Sequence, residues 1–189
     1  MGSILIISGS PSPSARAGVL VRHVSDELRG LGEHTRLLSV RDLPTVSLLA
    51  EDTTDPAIAA AIDEVAAADG IVVASPVYRA AYSGLIKSLL DLLPSGTLAG
   101  KAVLPLATGG TQGHLVAIDG VLRPLLFAMG ATKVLAGHFV LDQMIADEHE
   151  GHAHVRPLAA AALGEVLTGF TETVRRRRPA VVPLVPLTG

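Results

Sequence analysis

Five short runs rich in isoleucine, valine and leucine alternate along this chain with stretches of helical spacing. That alternation constrains the fold more than any other feature. Strands that read as unbroken apolar runs are buried on both faces, and helices are the crossovers that cover them. The first strand is predicted at residues 3–7, followed by a Ser/Pro/Gly loop at 8–15. Val19, Leu20, His23, Val24 and Leu28 recur at three- and four-residue spacing and predict a helix over 16–31, stopped by Gly30 and Gly32. Residues 35–40 form the second strand, and 41–54 lack a period and read as an irregular connection. Asp55-Pro56 is an N-cap and first-turn pair for a helix reaching Ala68. The third strand is 70–74, and a helix over 83–93 ends at Pro94. The fourth strand, 102–107, contains Pro105, which removes a ladder donor, so a bulge or an unneeded N–H is expected there. A long apolar helix over 113–129 has Gly130 as its C-cap. The fifth strand is 133–140, a histidine-rich loop covers 142–154, and a last helix spans 157–178.

Five strands with intervening helices predict an α/β, flavodoxin-like three-layer sandwich with a parallel sheet ordered 2-1-3-4-5. Residues 1–178 form the domain, and 179–189 are a Pro/Val tail. Ligands in such sheets bind at the carboxyl ends of the strands, beside the switch between strands one and three. Net charge is −3, which supplies no field for nucleic acid. With no cysteine, thiolate catalysis and cysteine-bound metal centres are excluded, and redox chemistry must come from a cofactor. No apolar run reaches the ~18 residues of a membrane span. The start, MGSILIISG, lacks a basic leader region, and a cytoplasmic location is expected.

The strand-end rule points to three loops. In the first, Ser8, Ser10, Ser12 and Ser14 alternate with Gly9, Pro11 and Pro13 before Arg16 and the helix. Free N–H groups and the helix dipole make that junction an anion site, and hydroxyls suit a phosphate monoester. The chain contains neither a Walker A loop nor G-x-G-x-x-G. The second, residues 75–84, holds Pro76, Val77, Tyr78, Arg79, Tyr82 and Ser83, including both tyrosines of the chain. Apolar and aromatic walls of this kind fit a flat heteroaromatic ring. The third is Thr108-Gly109-Gly110-Thr111, where backbone can approach a ligand closely.

These strings resemble the NADPH-dependent FMN reductase family. The resemblance runs over residues 3–175 and is carried by Gly9-Ser10-Pro11, by Ser14, by the string from Ser75 to Lys87, and by Gly100 to Thr111. It is nearest to the branch that serves alkanesulfonate utilisation, the flavin-supplying half of a two-component monooxygenase. The resemblance implies FMN as cofactor, NADPH or NADH as hydride donor to flavin N5, and a homodimer or homotetramer. It implies that Ser10, Ser14 and Arg16 meet the phosphate, with Pro11 and Ser12 among the cofactor-binding residues of the same loop. Pro76, Val77, Tyr78, Arg79, Ser83, Thr108, Gly109, Gly110 and Thr111 would hold the ring system, and Arg79, Tyr82 and His114 would face substrate. No protein acid, base or nucleophile is required, and no metal site is expected. A quinone, azo or metal-ion reductase with bound FMN, and a flavodoxin-type electron carrier, use the same kind of site. The first loop is one residue shorter than that branch's usual form, and Gly120 stands where the branch carries an aromatic or histidine.

Other features read as structural. The run from Asp147 to His154 lacks a rigid ligand spacing, and Arg175 to Arg178 suit a helix C-terminus. Apolar residues around the helices at 83–93 and 113–129 predict a homo-oligomer. Gly120 in mid-helix suggests a local reason, a π-bulge or a close approach of another helix, and a close helix–helix crossing is expected, with the irregularity kept or relaxed to plain α-helix.

Overall fold

The computed structural model describes residues 3–146 and 153–176. Its elements are β1 (Ser3–Ser8), α1 (Arg16–Gly30), β2 (His34–Ser39), α2 (Thr45–Leu49), α3 (Pro56–Ala67), β3 (Gly70–Tyr78), β4 (Ala81–Tyr82), α4 (Gly84–Leu90), β5 (Ala102–Gly109), α5 (Arg123–Ala128), β6 (Lys133–Val134), β7 (His138–Leu141), β8 (Ile145–Ala146), β9 (His154–Val155) and α6 (Pro157–Arg176). The sheet runs β2-β1-β3-β5, with β6 and then β7 along the far edge of β5, all parallel. This is the flavodoxin-like order expected from the sequence. The tail at 179–189 and most of the 147–154 run lie outside the described residues.

Period-two alternation in β1 divides the core between the two faces of the sheet. Ile4 and Ile6 pack with Val24 and Leu28 of α1 and with Leu167 and Phe170 of α6. Leu5 and Ile7 pack with Ile58 and Val65 of α3 and with Ile86 and Leu89 of α4. Asp55 caps α3 as expected, accepting from the N–H groups of Ala57 at 2.8 Å and Ile58 at 3.4 Å. The Ser47 hydroxyl also donates to it at 2.7 Å. That hydroxyl, followed by the Ala57 N–H, holds the Asp55 carboxyl below its ordinary range.

Four stretches differ from the sequence reading. Residues 41–54 are not irregular throughout, because a 3-10 turn (Val40–Asp42) and α2 form there, and Leu48 of α2 is buried in the core cluster that holds α4. The third strand extends to Tyr78 and returns as β4, pairing Val77 with Tyr82 and Tyr78 with Ala81. Arg79 and Ala80 form the two-residue turn with φ of 49° and 63°. Both sit in the left-handed region, as a type I′ hairpin turn requires.

The fifth strand is split into β6 and β7. Val103 pairs with Val134, and the ladder resumes only at Leu106 with His138. The gap lies beside Pro105. The Val103 carbonyl faces this edge, accepting from the Leu135 N–H at 2.9 Å. Pro105 has the same parity, so its missing donor faces the edge too. Gly137 fills the break: a Cβ there would lie 2.1 Å from Ile118 and 3.2 Å from the Pro105 ring.

The helix expected over 113–129 is three pieces. A 3-10 turn (Gln112–Leu115) leads into a π-helical segment (Ala117–Leu122), and α5 follows. Pro124 supplies the reason. In a continuous α-helix it would leave the Gly120 carbonyl without a donor and press its ring against that carbonyl. The wider π turn takes up the mismatch. Gly130, at φ of 88°, ends α5, with its N–H on the Phe127 carbonyl at 3.0 Å.

Candidate active site

The loop between β1 and α1 is built from its own serines. The buried Ser10 hydroxyl donates to the Ser12 carbonyl at 2.7 Å, and the Ser10 N–H meets the Ser8 hydroxyl at 3.3 Å. The Ser12 and Ser14 hydroxyls lie 2.9 Å apart at the exposed rim. Gly18 permits the loop to fold back on the helix, since a Cβ there would lie 2.4 Å from the Pro13 carbonyl oxygen and 2.6 Å from that of Ser12. Ala15 occupies the N-cap position of α1 and gives no side-chain cap, and the first turn carries no acidic residue. The amide N–H groups of that turn are therefore left for an anion.

The hairpin braces this loop from behind. The buried Ser83 hydroxyl donates to the Gly9 carbonyl at 2.9 Å, and the Ser83 N–H donates to the Ser75 hydroxyl at 2.8 Å. Gly9 in turn donates to the Ala74 carbonyl at 2.8 Å. The ends of β1 and β3 are thus tied together at the topological switch point.

A cleft of about 440 Å³ opens beside them. Pro11, Ser12, Ser14 and Arg16 line one wall, together with Ala15 and Ala17. Pro76, Val77 and Tyr78 of β3, and Thr108 and Gly109 of β5, line the other. Asp142, directly after β7, completes the lining, and the Thr108 hydroxyl donates to its Oδ1 at 2.6 Å. The Arg16 Nε donates to the Ile145 carbonyl at 3.3 Å, which holds β8 against the start of α1.

Three loops far apart in sequence therefore meet at one place. Other residues named from the sequence do not line the cleft. Ser10 and Ser83 are buried behind it, and Arg79 is exposed in the hairpin turn. Tyr82, paired with Val77 in the hairpin, packs against the core near α4, and burial raises its pKa while Lys87 opposes the shift. Gly110 and Thr111 are exposed beyond the rim. His114 lies behind Gly109, with a buried Nδ1 that has no hydrogen-bond partner. Asp142 falls in the histidine-rich loop that the sequence predicts over 142–154 and is not among the site residues named from it. The strand-end rule that selected the other three loops also applies to the residue following strand five.

The donor set fits FMN. Two rim hydroxyls, an uncapped helix start without acidic side chains and the Arg16 guanidinium suit the oxygens of a phosphate monoester. The adjoining wall of Pro76, Val77, Tyr78 and Gly109 suits a flat ring system. Among the described residues, no group of three or more His, Cys, Asp or Glu side chains could hold a metal ion. No described helix is long and apolar enough to cross a membrane.

Comparison with known proteins agrees with this geometry. The chain is 37% identical over 186 residues to the FMN reductase (NADPH) of Escherichia coli (strain K12), covering 98% of this chain and 97% of that protein. A crystal structure of an NADH:FMN oxidoreductase, EMOB, in its apo form, superposes with a TM-score of 0.82 at 35% identity, covering 92% of this chain and 90% of that one. An archaeal flavodoxin matches at a TM-score of 0.59 and 15% identity over 93% of this chain and 99% of that one, a likeness of fold alone. The family model for NADPH-dependent FMN reductase matches residues 3–146. The chain belongs to that family, and is by homology an NAD(P)H-dependent FMN reductase.

Proposed function

We propose that this enzyme takes FMN as a substrate it releases after reduction, and that the reduced flavin serves a flavin-dependent monooxygenase of sulfonate or sulfur assimilation. The observation that carries the reading is the open cleft, with a phosphate-type donor set at one wall. FMN, when bound, supplies the hydride acceptor, and the nicotinamide supplies the hydride. The chain's own work is to hold, orient and let go. Ser12, Ser14, the first turn of α1 and Arg16 hold the phosphate end. Pro76 to Tyr78 and Thr108-Gly109 position the ring end between rigid strands. No side chain is asked to move a proton. The named relatives include both an NADPH-dependent and an NADH-dependent protein, and NADPH is the donor expected here.

The test is anaerobic and aerobic NADPH oxidation by flavin-free protein as free FMN is raised. A rate that saturates with free FMN supports the released-substrate reading. FMN that co-purifies through gel filtration, with turnover governed by added quinone instead, would show a bound-flavin quinone reductase.

A further inference from the structure

We propose that Asp142 weakens the cleft's hold on reduced flavin, so that a single carboxylate favours product release after hydride transfer. The inference rests on the flavin-binding reading above. Asp142 follows β7 and opens a 3-10 turn (Asp142–Met144) at the carboxyl edge of the sheet. Its Oδ1 accepts from the Thr108 hydroxyl at 2.6 Å, and its Oδ2 lies 3.9 Å from where a Cβ on Gly110 would stand. The carboxylate is therefore fixed beside the Thr108–Gly110 backbone that forms the ring wall. Among the described residues no cation pairs with it. Arg16, across the cleft, belongs to the phosphate loop and has its Nε on the Ile145 carbonyl.

Hydride transfer changes the charge beside this group. The C4–H bond of the nicotinamide breaks and an N5–H bond forms on the flavin, with both electrons carried by the hydride. The nicotinamide leaves as a cation, and the neutral isoalloxazine becomes an anion. The phosphate charge of FMN is the same before and after. The difference in affinity between the two flavin states therefore isolates the ring charge. At an effective dielectric of about 20, a like charge several ångströms away shifts that difference by about tenfold or more.

Asp142→Asn removes the charge and keeps an oxygen to accept from Thr108. Dissociation constants for oxidised and dithionite-reduced FMN are measured anaerobically on the full chain. The variant should bind oxidised FMN within about twofold of the parent and reduced FMN about tenfold more tightly. By linkage, the potential of bound flavin should rise by about 30 mV. Asp142→Ser, a second neutral variant, should move the same way. An unchanged ratio in Asp142→Asn, or equal shifts of both constants, overturns the inference while leaving the flavin site intact. A parent that binds neither form overturns the flavin reading itself.

Discussion

Individual residues in the loop before α1 act in two distinct ways. Ser10 and Gly18 shape the loop: the first folds its hydroxyl onto the Ser12 carbonyl, and the second leaves room for the Ser12 and Pro13 carbonyls against α1. Ser12, Ser14 and Arg16 are presented to the cleft. Replacing Ser14 and Arg16 together with alanine should weaken FMN binding by roughly 2–4 kcal/mol, at ~1–2 kcal/mol for each lost charge-assisted contact. Riboflavin, which lacks the phosphate, should bind the variant and the parent alike in a fluorescence titration. A matching loss for riboflavin would mean that the variant had disturbed the loop rather than removed phosphate contacts. Arg79 and Ala80 illustrate a different cost. Each holds a left-handed backbone that disfavours side chains by about 1–2 kcal/mol, and the hairpin they close sets the wall formed by Val77 and Tyr78.

Elements break where a proline and a glycine sit opposite one another. Pro105 faces the gap that Gly137 fills, and Pro124 lies four residues after Gly120 in the π segment. The helix keeps an irregularity at Gly120, which the sequence left open, and its cause is Pro124 within the same helix. Gly120 is exposed, and a Cβ there would meet only the Val116 side chain, at 3.2 Å. Among the described residues, no neighbouring helix requires a glycine at that point. Gly120→Ala should therefore raise the urea midpoint, by about 0.5–1 kcal/mol of stability, through helix propensity alone. A loss of stability together with a change in oligomer mass would show that another copy of the chain crosses closely at this position.

At the scale of the molecule, the covering of the sheet leaves some apolar surface over. Ile86, Leu89, Leu90, Leu92 and Leu93, part of the sequence argument for association, are buried within the chain and give no support to it. The stretch from the 3-10 turn to α5 differs, because Leu115, Val116 and Phe127 remain 45%, 52% and 48% exposed. We propose that this stretch meets a second copy, in at least a homodimer. Light scattering at micromolar concentration should return a multiple of the chain mass, and Phe127→Asp should lower it. A monomeric parent would reject the assignment. The opposite side of the molecule is closed by α6. Its Phe170 and Val174 pack where Gly70 lacks a side chain, and Arg175 donates to the buried Glu33 at 2.6 Å and to the Leu31 carbonyl at 2.7 Å.

Local pattern was enough to determine the sheet order, the burial of β1 and the cap at Asp55. Period, propensity and capping act over a few residues, and parallel strands joined by helices admit few topologies. The type I′ turn at Arg79-Ala80 escaped the sequence because neither residue prefers a left-handed backbone, and only the pairing of β3 with β4 holds them there. The split of the fifth strand depends on Pro105 and Gly137, which become neighbours through the sheet. Asp142 enters the cleft through its bond to Thr108, across 34 residues of sequence. Tyr82 and Ser83 leave the cleft for the same kind of reason: Tyr82 packs on the core that includes α4, and Ser83 donates to the Gly9 carbonyl, 74 residues away. The chemical character of the site was written in short strings, while the side chains that face it were selected by contacts between strands distant in the chain.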